Sequence, residues 1–147
     1  MNIRIRPVSC SAELETLLSR AGLPVSDLGK GLPLHLFGAR VNGMLIGVVG
    51  VEVYKTVGLL RSLAVEAAFR QGGVGRALVA HAETWAVQCQ VNELYLLTTT
   101  AAGFFAHLGY EVVSRSEAPK AIARTTQFEG LCPSSSTFMR KKLASFP

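Results

Sequence analysis

The stretch that decides the fold lies between residues 59 and 78. It reads Leu59-Leu-Arg-Ser-Leu-Ala-Val65, Glu-Ala-Ala-Phe69, Arg70-Gln-Gly-Gly-Val-Gly-Arg-Ala-Leu78. An apolar strand leads into a glycine-rich turn, and the turn opens a helix. The first N–H groups of a helix lack internal partners and carry partial positive charge, and glycines let an anion approach that backbone closely. The stretch therefore predicts a cradle for a phosphate group.

The glycine spacing separates this cradle from two common nucleotide sites. It is Arg-x-x-Gly-x-Gly over residues 70–75. A dinucleotide-binding fold would carry Gly-x-Gly-x-x-Gly, and a P-loop would end in Gly-Lys followed by Ser or Thr. Neither pattern is present in this stretch, so neither a dinucleotide fold nor nucleotide hydrolysis is indicated.

The residues before the cradle read as one helix and four strands. Residues 3–8 alternate as a strand does, and Ser9 or Ser11 is a good cap for a helix over residues 12–21. Asn42-Gly43 lies between two apolar runs, 34–41 and 44–54, and predicts a type I′ hairpin. The run 59–65 follows closely, so we expect three consecutive antiparallel strands.

The residues after the cradle alternate between helices and strands. We expect helices over 74–87, 101–108 and 119–128, the last beginning at Pro119, and strands over 94–98, 110–114 and 137–143. The element order βαβββαβαβ(α)β predicts an α+β (α/β layered) fold, and residues 1–147 are expected to form one domain. The last strand is compatible with pairing across a homodimer.

The composition excludes several classes of protein. The 147 residues carry a net charge of +5, with 49% hydrophobic and 17% charged residues, which argues against disorder. The longest apolar run, 44–53, is interrupted by Gly47, Gly50 and Glu52 and is shorter than the ~18 residues of a membrane span. Like charges form no long block of the kind that binds nucleic acid. We therefore expect neither a membrane nor a nucleic-acid partner.

The cysteines and histidines indicate no metal site. Cys10, Cys89 and Cys132 are odd in number and widely spaced, which matches neither a disulfide framework nor a zinc site. The three histidines lie in separate predicted elements without ligand spacing. These features are typical of a protein of the reducing cytoplasm, which is where we expect this one.

Two motifs together resemble the GNAT acetyltransferase superfamily. The first is the strand and cradle of residues 59–78, and the second is Leu94-Tyr-Leu-Leu-Thr-Thr-Thr-Ala-Ala-Gly-Phe-Phe-Ala-His-Leu-Gly-Tyr110. The resemblance extends in element order over residues 3 to 115 and implies a mixed, mostly antiparallel central sheet flanked by helices. The second motif and the tail around Leu131-Cys132-Pro133 are closest to the bacterial N-acetyltransferases associated with arsenic resistance.

The resemblance implies acetyl-CoA as cosubstrate. In that superfamily the last residues of the strand pair with the pantetheine arm, and the turn holds the pyrophosphate through backbone N–H groups. The resemblance therefore implies these cofactor-binding residues: Leu63, Ala64, Val65, Arg70, Gln71, Gly72, Gly73, Val74, Gly75, Arg76, Phe104 and Phe105. It also implies direct transfer of the acetyl group to the amine of a small molecule, in a ternary complex.

The catalytic groups depart from the superfamily's usual pattern. Many members carry a tyrosine where Phe105 stands, and that tyrosine protonates the leaving thiolate; an asparagine often found seven residues earlier is Thr98 here. A thiolate is a tolerable leaving group without such an acid, because the thiol pKa is about 8.5. The loss of the tyrosine leaves a second hypothesis open, an acyl-CoA-binding sensor or partner protein with little or no catalysis.

The remaining roles require an oxyanion donor, a base and a substrate contact. The resemblance assigns the oxyanion contact to the Leu63 backbone N–H. Glu52, out of phase with Val51 and Val53 on its strand, is the candidate base. Arg61, Ser62 and Thr98 are the candidate substrate residues. Arg61 leaves two alternatives open, since it can pair with a substrate carboxylate, as an amino-acid-like acceptor would supply, or with Glu52.

Overall fold

The computed structural model describes residues 3–29, 31 and 33–143. Within these residues the chain forms seven strands and four α-helices. They are β1 Arg4–Val8, α1 Ala12–Arg20, β2 Leu34–Val41, β3 Met44–Tyr54, β4 Val57–Val65, α2 Val74–Gln88, β5 Glu93–Thr98, α3 Ala102–His107, β6 Glu111–Val112, α4 Lys120–Ala123 and β7 Thr137–Lys142.

The strands form one mixed sheet in the order β1-β2-β3-β4-β5-β7-β6. Each neighbouring pair is antiparallel except β4 and β5, which run parallel. The fold is therefore α+β, with a mostly antiparallel central sheet flanked by helices, as the sequence predicted. The parallel pair lies in the middle of the sheet, directly beside the strand that precedes the glycine-rich turn.

The predicted turns and caps explain how the first elements are arranged. Asn42 and Gly43 both adopt positive φ angles, 51° and 80°, which a type I′ turn requires, and they join β2 to β3. Helix α1 begins after Ser11, whose hydroxyl accepts a hydrogen bond from the Leu14 N–H at 3.2 Å. Of the two serines that the sequence offered as a cap, Ser11 is therefore the one that caps α1.

Helices α1 and α2 cover opposite faces of the sheet. Successive side chains of a strand point to opposite faces, so β3 contributes Val49 and Val51 to the core under α2 and Val48 to the core under α1. Three leucines of α1 are buried there, Leu14, Leu17 and Leu18. Each buried leucine contributes about 1.5–3 kcal/mol to folding. Two independent apolar faces therefore fix β3 and β4 in the middle of the molecule.

The predicted helix over 119–128 is divided in the structure. Helix α4 ends at Ala123, and a wide helical turn follows over Gln127–Leu131. The Thr125 hydroxyl donates to the Ile122 carbonyl at 2.7 Å and accepts from the Phe128 N–H at 3.2 Å. Such local side-chain bonds compete with the helical pattern and interrupt it. Pro119 lies just before α4 as its cap, not inside it as predicted.

Strand β7 has partners on both sides within the chain. It pairs with β5 along its whole length and with β6 at Arg140 and Met139. The sequence suggested that residues 137–143 pair across a homodimer. One edge of β7 is fully paired with β5, whereas β6 pairs with only two residues of the other edge, so pairing across a homodimer stays a prediction.

No helix among residues 3–29, 31 and 33–143 is long and apolar enough to cross a membrane. The same residues contain no group of three or more His, Cys, Asp or Glu side chains placed to hold a metal ion.

Candidate active site

Strands β4 and β5 separate partway along their length. They are paired only from Val57 to Leu59 on β4 and from Glu93 to Tyr95 on β5. Beyond Leu59 a cavity of about 440 Å³ lies between them, lined by Leu60–Leu63 of β4 and by Leu96–Thr98 at the end of β5. The backbone groups of β4 on this side have no strand partner, so they remain available to a ligand.

A β-bulge interrupts β4 in the part that is not paired with β5. Between Val48 and Gly50 the register with β3 shifts, and β4 contains one residue more than its partner. Ser62 lies in this bulge with a φ of 59°. A left-handed non-glycine residue inside a strand is strained and is often found at a functional site. The bulge is followed by Leu63, the residue expected to supply the oxyanion contact.

The glycine-rich turn lies at the start of α2, where the anion cradle is predicted. Gly73 has a φ of 80° and precedes α2. The first hydrogen bond inside α2 runs from the Ala77 N–H to the Gly73 carbonyl. The N–H groups of Val74, Gly75 and Arg76 therefore point out of the helix end without helical partners. They carry the positive end of a helix of 15 residues.

A second cavity, of about 400 Å³, lies at this helix end. Its lining contains eight of the twelve predicted cofactor residues: Leu63, Ala64, Val65, Arg70, Gly73, Gly75, Arg76 and Phe104. Gln71 and Gly72 are exposed in the turn, and Val74 is buried under it. The Arg70 Nε donates to the Val65 carbonyl at 3.0 Å, so this arginine also braces the end of β4. Leu63 lines both this cavity and the one between β4 and β5.

Phe105 belongs to the core of α3 as well as to the cavity between the strands. It is buried, and its ring packs edge-on against Phe104 and Tyr110. It also lines the cavity between β4 and β5, where it offers a ring but no proton. Phe104, by contrast, is exposed over the cradle, at 3.4 Å from the position that a Cβ on Gly75 would occupy.

Arg61 forms a buried ion cluster beside the cavity. Its side chain is 0% exposed and pairs with Asp27 through Nη1 at 2.5 Å and Nη2 at 2.7 Å. Nη1 also donates to the Glu52 carboxylate at 2.8 Å. Burial by itself lowers the pKa of Arg61, but the hydrogen bonds to Asp27 and Glu52 outweigh burial and raise it. The guanidinium is therefore charged at all relevant pH values.

This geometry corrects the substrate role predicted for Arg61. A substrate carboxylate would have to displace Asp27 or Glu52 from a fully buried guanidinium. The internal pair with Glu52, which the sequence left open as the alternative, is present, and Asp27 joins it. One cation faces two carboxylates, so the cluster has a formal surplus of one negative charge.

Glu52 lies in this cluster rather than on the cavity surface. It is 1% exposed, and its two oxygens accept hydrogen bonds from the Tyr54 hydroxyl and from Arg61. Burial and the hydrogen bond to Glu52 raise the pKa of Tyr54 above its ordinary value, so the phenol stays protonated. The sequence placed Glu52 and Tyr54 on one face of β3, but it did not indicate that this face is closed.

The predicted substrate residues Ser62 and Thr98 both line the cavity between β4 and β5. The Ser62 hydroxyl accepts a hydrogen bond from the Arg61 Nε at 3.0 Å. The Thr98 hydroxyl accepts one from the Ala101 N–H at 3.0 Å and so holds the turn before α3. Cys132 lines the opposite wall, and burial is the main cause that raises the pKa of its thiol.

Two further side chains of this site were not found in the sequence. Asp27 lies in the loop between α1 and β2, and Gln127 lies in the wide turn after α4. With its amide oxygen turned toward Arg61, Gln127 accepts from Nε at 3.1 Å and from Nη2 at 3.2 Å. An arginine in an apolar strand indicates that polar partners are needed, but it does not indicate where in the chain those partners lie.

The chain is similar to known proteins. The acetyltransferase (GNAT) domain profile matches residues 33–112. An uncharacterized N-acetyltransferase of Chlorobaculum tepidum is 40% identical over 128 residues, which cover 84% of this chain and 81% of that protein.

Two solved structures share the fold. N-acetylglutamate synthase of Neisseria gonorrhoeae, complexed with coenzyme A and N-acetyl-glutamate, superimposes with a TM-score of 0.80 at 20% identity over 98% of this chain, which spans only 36% of the synthase. PaiA N-acetyltransferase of Thermoplasma acidophilum, in complex with coenzyme A, gives a TM-score of 0.69 at 18% identity, covering 97% of this chain and 99% of that one. With the matched domain and the 40% identical relative, the chain belongs to the GNAT acetyltransferase family.

Proposed function

We propose that this protein transfers an acetyl group from acetyl-CoA to the amine of a small molecule, by direct attack in a ternary complex. The observation that carries the proposal is that two cavities meet at Leu63, one at the anion cradle and one between the separated strands. The first suits the pyrophosphate and pantetheine, and the second suits the acceptor. Two fold neighbours that contain coenzyme A support this choice of cosubstrate.

The cofactor would be held mainly by backbone groups. We place the pyrophosphate at the N–H groups of residues 74–76, with Gln71, Gly72 and Gly73 forming the turn around it and Arg76 adding a charge-assisted contact. The pantetheine arm would run along Leu63, Ala64 and Val65, at the end of β4 that is not paired with β5. Phe104 would cover the arm from α3, and Phe105 would close the inner end of the cavity between β4 and β5.

The reaction would proceed through a tetrahedral intermediate. The acceptor nitrogen attacks the thioester carbonyl, the C–N bond forms, and the negative oxygen is stabilised by the Leu63 N–H. The C–S bond then breaks, and the CoA thiolate leaves and takes a proton from water. Two adjacent cavities hold the amine and the thioester in contact, which supplies a large part of the rate enhancement.

The proton lost by the amine is the least constrained part of the mechanism. We propose Glu52 as its acceptor, reached through a water in the cavity because the carboxylate itself is buried. Its oxygens accept hydrogen bonds from the Tyr54 hydroxyl and from Arg61, which fix the carboxylate in place. Ser62 and Thr98, whose hydroxyls line the cavity, would contact the acceptor directly.

Binding of the cosubstrate is tested by thermal unfolding. Acetyl-CoA at about 100 times its Kd should raise Tm by about 5–10 °C. Arg76→Gln should reduce this shift, because Arg76 lines the cradle cavity, whereas Arg124→Gln, at an exposed arginine outside the cavities described above, should not. No shift with acetyl-CoA would contradict the proposed function.

Catalysis is tested by release of free thiol with a panel of amines. We expect one acceptor class to release thiol well above the rate without amine, and Glu52→Gln to slow turnover mainly at low pH. Glu83→Gln, which alters a partly buried carboxylate elsewhere, is the matched control. An unchanged pH–rate profile in Glu52→Gln would remove Glu52 as the base.

The second candidate function is an acyl-CoA-binding sensor or partner protein. It is favoured by Phe105, which stands where a hydroxyl group would protonate the leaving thiolate and is instead packed against Tyr110. Tight binding of CoA without thiol release from any amine of the panel would support this function over transfer.

The sequence motifs extend the proposal to the nature of the acceptor. The segments 94–110 and 131–133 resemble the arsenic-resistance-associated enzymes, so the panel should contain amino acids and their arsenic- and phosphorus-containing analogues. We propose that the protein works in the cytoplasm, which the free thiols of Cys10, Cys89 and Cys132 support. A homodimer also stays a prediction.

A further inference from the structure

Arg61 connects four separate segments of the chain. Its guanidinium bonds Asp27 in the α1–β2 loop and Glu52 in β3, and its Nε donates to Ser62 in the β4 bulge. The oxygen of Gln127, turned toward it, adds the wide turn after α4. Every nitrogen of the guanidinium therefore has at least one partner, and no two of these partners lie in the same element.

Three of these segments form walls of the cavity between β4 and β5. The α1–β2 loop lines it with residues 21–24, just before Asp27. Strand β4 lines it with Leu60–Leu63, a stretch that includes the bulge. Residues 131–133, which begin at the end of the turn that contains Gln127, line it as well. One buried side chain is thus bonded to three of the segments that line this cavity.

Two of these bonds act on different parts of the site. The pair with Asp27 is bidentate and buried, and such charge-assisted bonds are about twice as strong as neutral ones. It adds a polar anchor to a loop that Leu28 also attaches to the core. The bond to the Ser62 hydroxyl acts on a residue whose φ of 59° is unfavourable for a serine, and so supports the bulge before Leu63.

We propose that Arg61 is a positioning residue of the acceptor cavity: through Asp27 it holds the loop of residues 21–29 closed against β4, and through Ser62 it holds the bulge that presents Leu63. It does not bind the acceptor itself. The identification of the cavity as the acceptor site rests on the proposed function, whereas the closure of the loop does not.

The closure is tested on Cys132, which lines the cavity and is a free thiol. The protein is treated with iodoacetamide at about pH 8, and modification of each cysteine is followed by peptide mass spectrometry. Asp27→Asn removes the ion pair but keeps the size of the side chain. We expect it to increase the alkylation rate of Cys132 about tenfold relative to Cys89, which lies at the end of α2.

A matched control separates local opening from lost stability. Glu83→Gln weakens a different, partly buried network, in which Glu83 accepts from Tyr110 at 2.9 Å and from Lys141 at 3.0 Å. It should leave the ratio of Cys132 to Cys89 alkylation at the wild-type value, because global unfolding exposes both cysteines. An unchanged ratio in Asp27→Asn, or an equal rise in Glu83→Gln, would overturn the proposal.

Binding and kinetics provide the second readout. Calorimetry with CoA should give the same Kd for Asp27→Asn as for the wild type, within about twofold, because the cradle is not touched. With an acceptor from the amine panel, its KM should rise about tenfold while kcat changes little. Failure of the amine panel would leave the alkylation test intact, so the proposed function and this inference fail separately.

Discussion

Gly75 shows what a single missing side chain contributes to the cradle. It is the second residue of α2, and a Cβ there would lie 3.4 Å from Phe104 and 3.8 Å from Val65. Both distances are ordinary van der Waals contacts, so the folded chain has room for a methyl group. That group would nevertheless occupy the cavity that we assign to the cofactor.

We therefore predict that Gly75→Ala changes stability and binding in opposite directions. Alanine is favoured over glycine in a helix by up to about 1 kcal/mol, so the free energy of unfolding should be unchanged or higher. The Kd for CoA should rise about tenfold, because phosphate and pantetheine lose close contact with the backbone. Urea unfolding and calorimetry measure the two effects.

Gly103→Ala is the matched control for this prediction. Gly103 is a helical glycine of α3 with nothing within 4 Å of the position of its Cβ. It should gain the same stability without loss of CoA affinity. Equal affinities for the two variants would show that the end of α2 does not hold the cofactor closely.

At the level of single residues, sequence reasoning placed the glycine-rich turn and named Glu52 as one alternative partner of Arg61, but it did not find Asp27 or Gln127. Gly73, Gly75 and Arg76 could be placed because they are adjacent in the sequence and the chemistry of a helix end is local. Asp27 could not be placed, since it lies 34 residues away from Arg61 in the chain. Which carboxylate reaches a buried arginine is decided by tertiary packing alone.

At the level of elements, the β4 bulge is the feature that local patterns could not predict. Strand, turn and helix positions follow from periodicity and from pairs such as Asn42-Gly43, and most agree with the structure. A bulge depends on the register with a neighbouring strand, which a single segment does not encode. The interruption of the predicted helix over 119–128 was missed for a related reason, because the Thr125 hydroxyl donates to a main-chain carbonyl.

We predict that the bulge tolerates no β-branched residue. Ser62→Val should lower the free energy of unfolding by about 1–3 kcal/mol, because valine is strongly disfavoured at a φ of 59°. It also removes the hydroxyl that Arg61 binds, so kcat/KM should fall by more than tenfold. Urea unfolding and steady-state kinetics with an acceptor from the panel check both numbers.

Lys55 provides a matched control for the strain at Ser62. It has a φ of 61° and lies in the turn between β3 and β4, outside the two cavities. Lys55→Val should reduce stability by a similar amount and leave kcat/KM unchanged. If both variants lost activity equally, reduced stability rather than the bulge would explain the effect.

At the scale of the whole molecule, five of the seven buried polar residues of the described chain belong to the cluster of Arg61. The cluster of Arg61 lies on one side of β4, and a second network joins Tyr110, Glu83 and Lys141 on the side covered by α2. The net charge of +5 gave little information about either, because both consist of acids and bases paired internally. Placement of charge, rather than its total, distinguishes the site from the surface.

The second network predicts how global stability depends on pH. Burial, followed by the charge of Glu83 and its hydrogen bond, raises the pKa of Tyr110 above its ordinary value of 10.0. The folded protein therefore keeps this proton when the unfolded chain loses it. Stability from this group is complete below about pH 10 and decreases as pH rises above it, by up to ~1.4 kcal/mol per pH unit.

Tyr110→Phe should lower the stability at neutral pH and reduce the loss of stability at alkaline pH. At about pH 8 the variant should be less stable by about 1 kcal/mol, because Glu83 loses the hydrogen bond from the phenol. Between about pH 9 and pH 11 it should lose less stability than the wild type, since phenylalanine has no proton to release in either state. Urea unfolding at several pH values measures both slopes. Parallel curves for the two proteins would mean that Tyr110 ionises equally in the folded and unfolded chains, and that burial under α2 does not hold its proton.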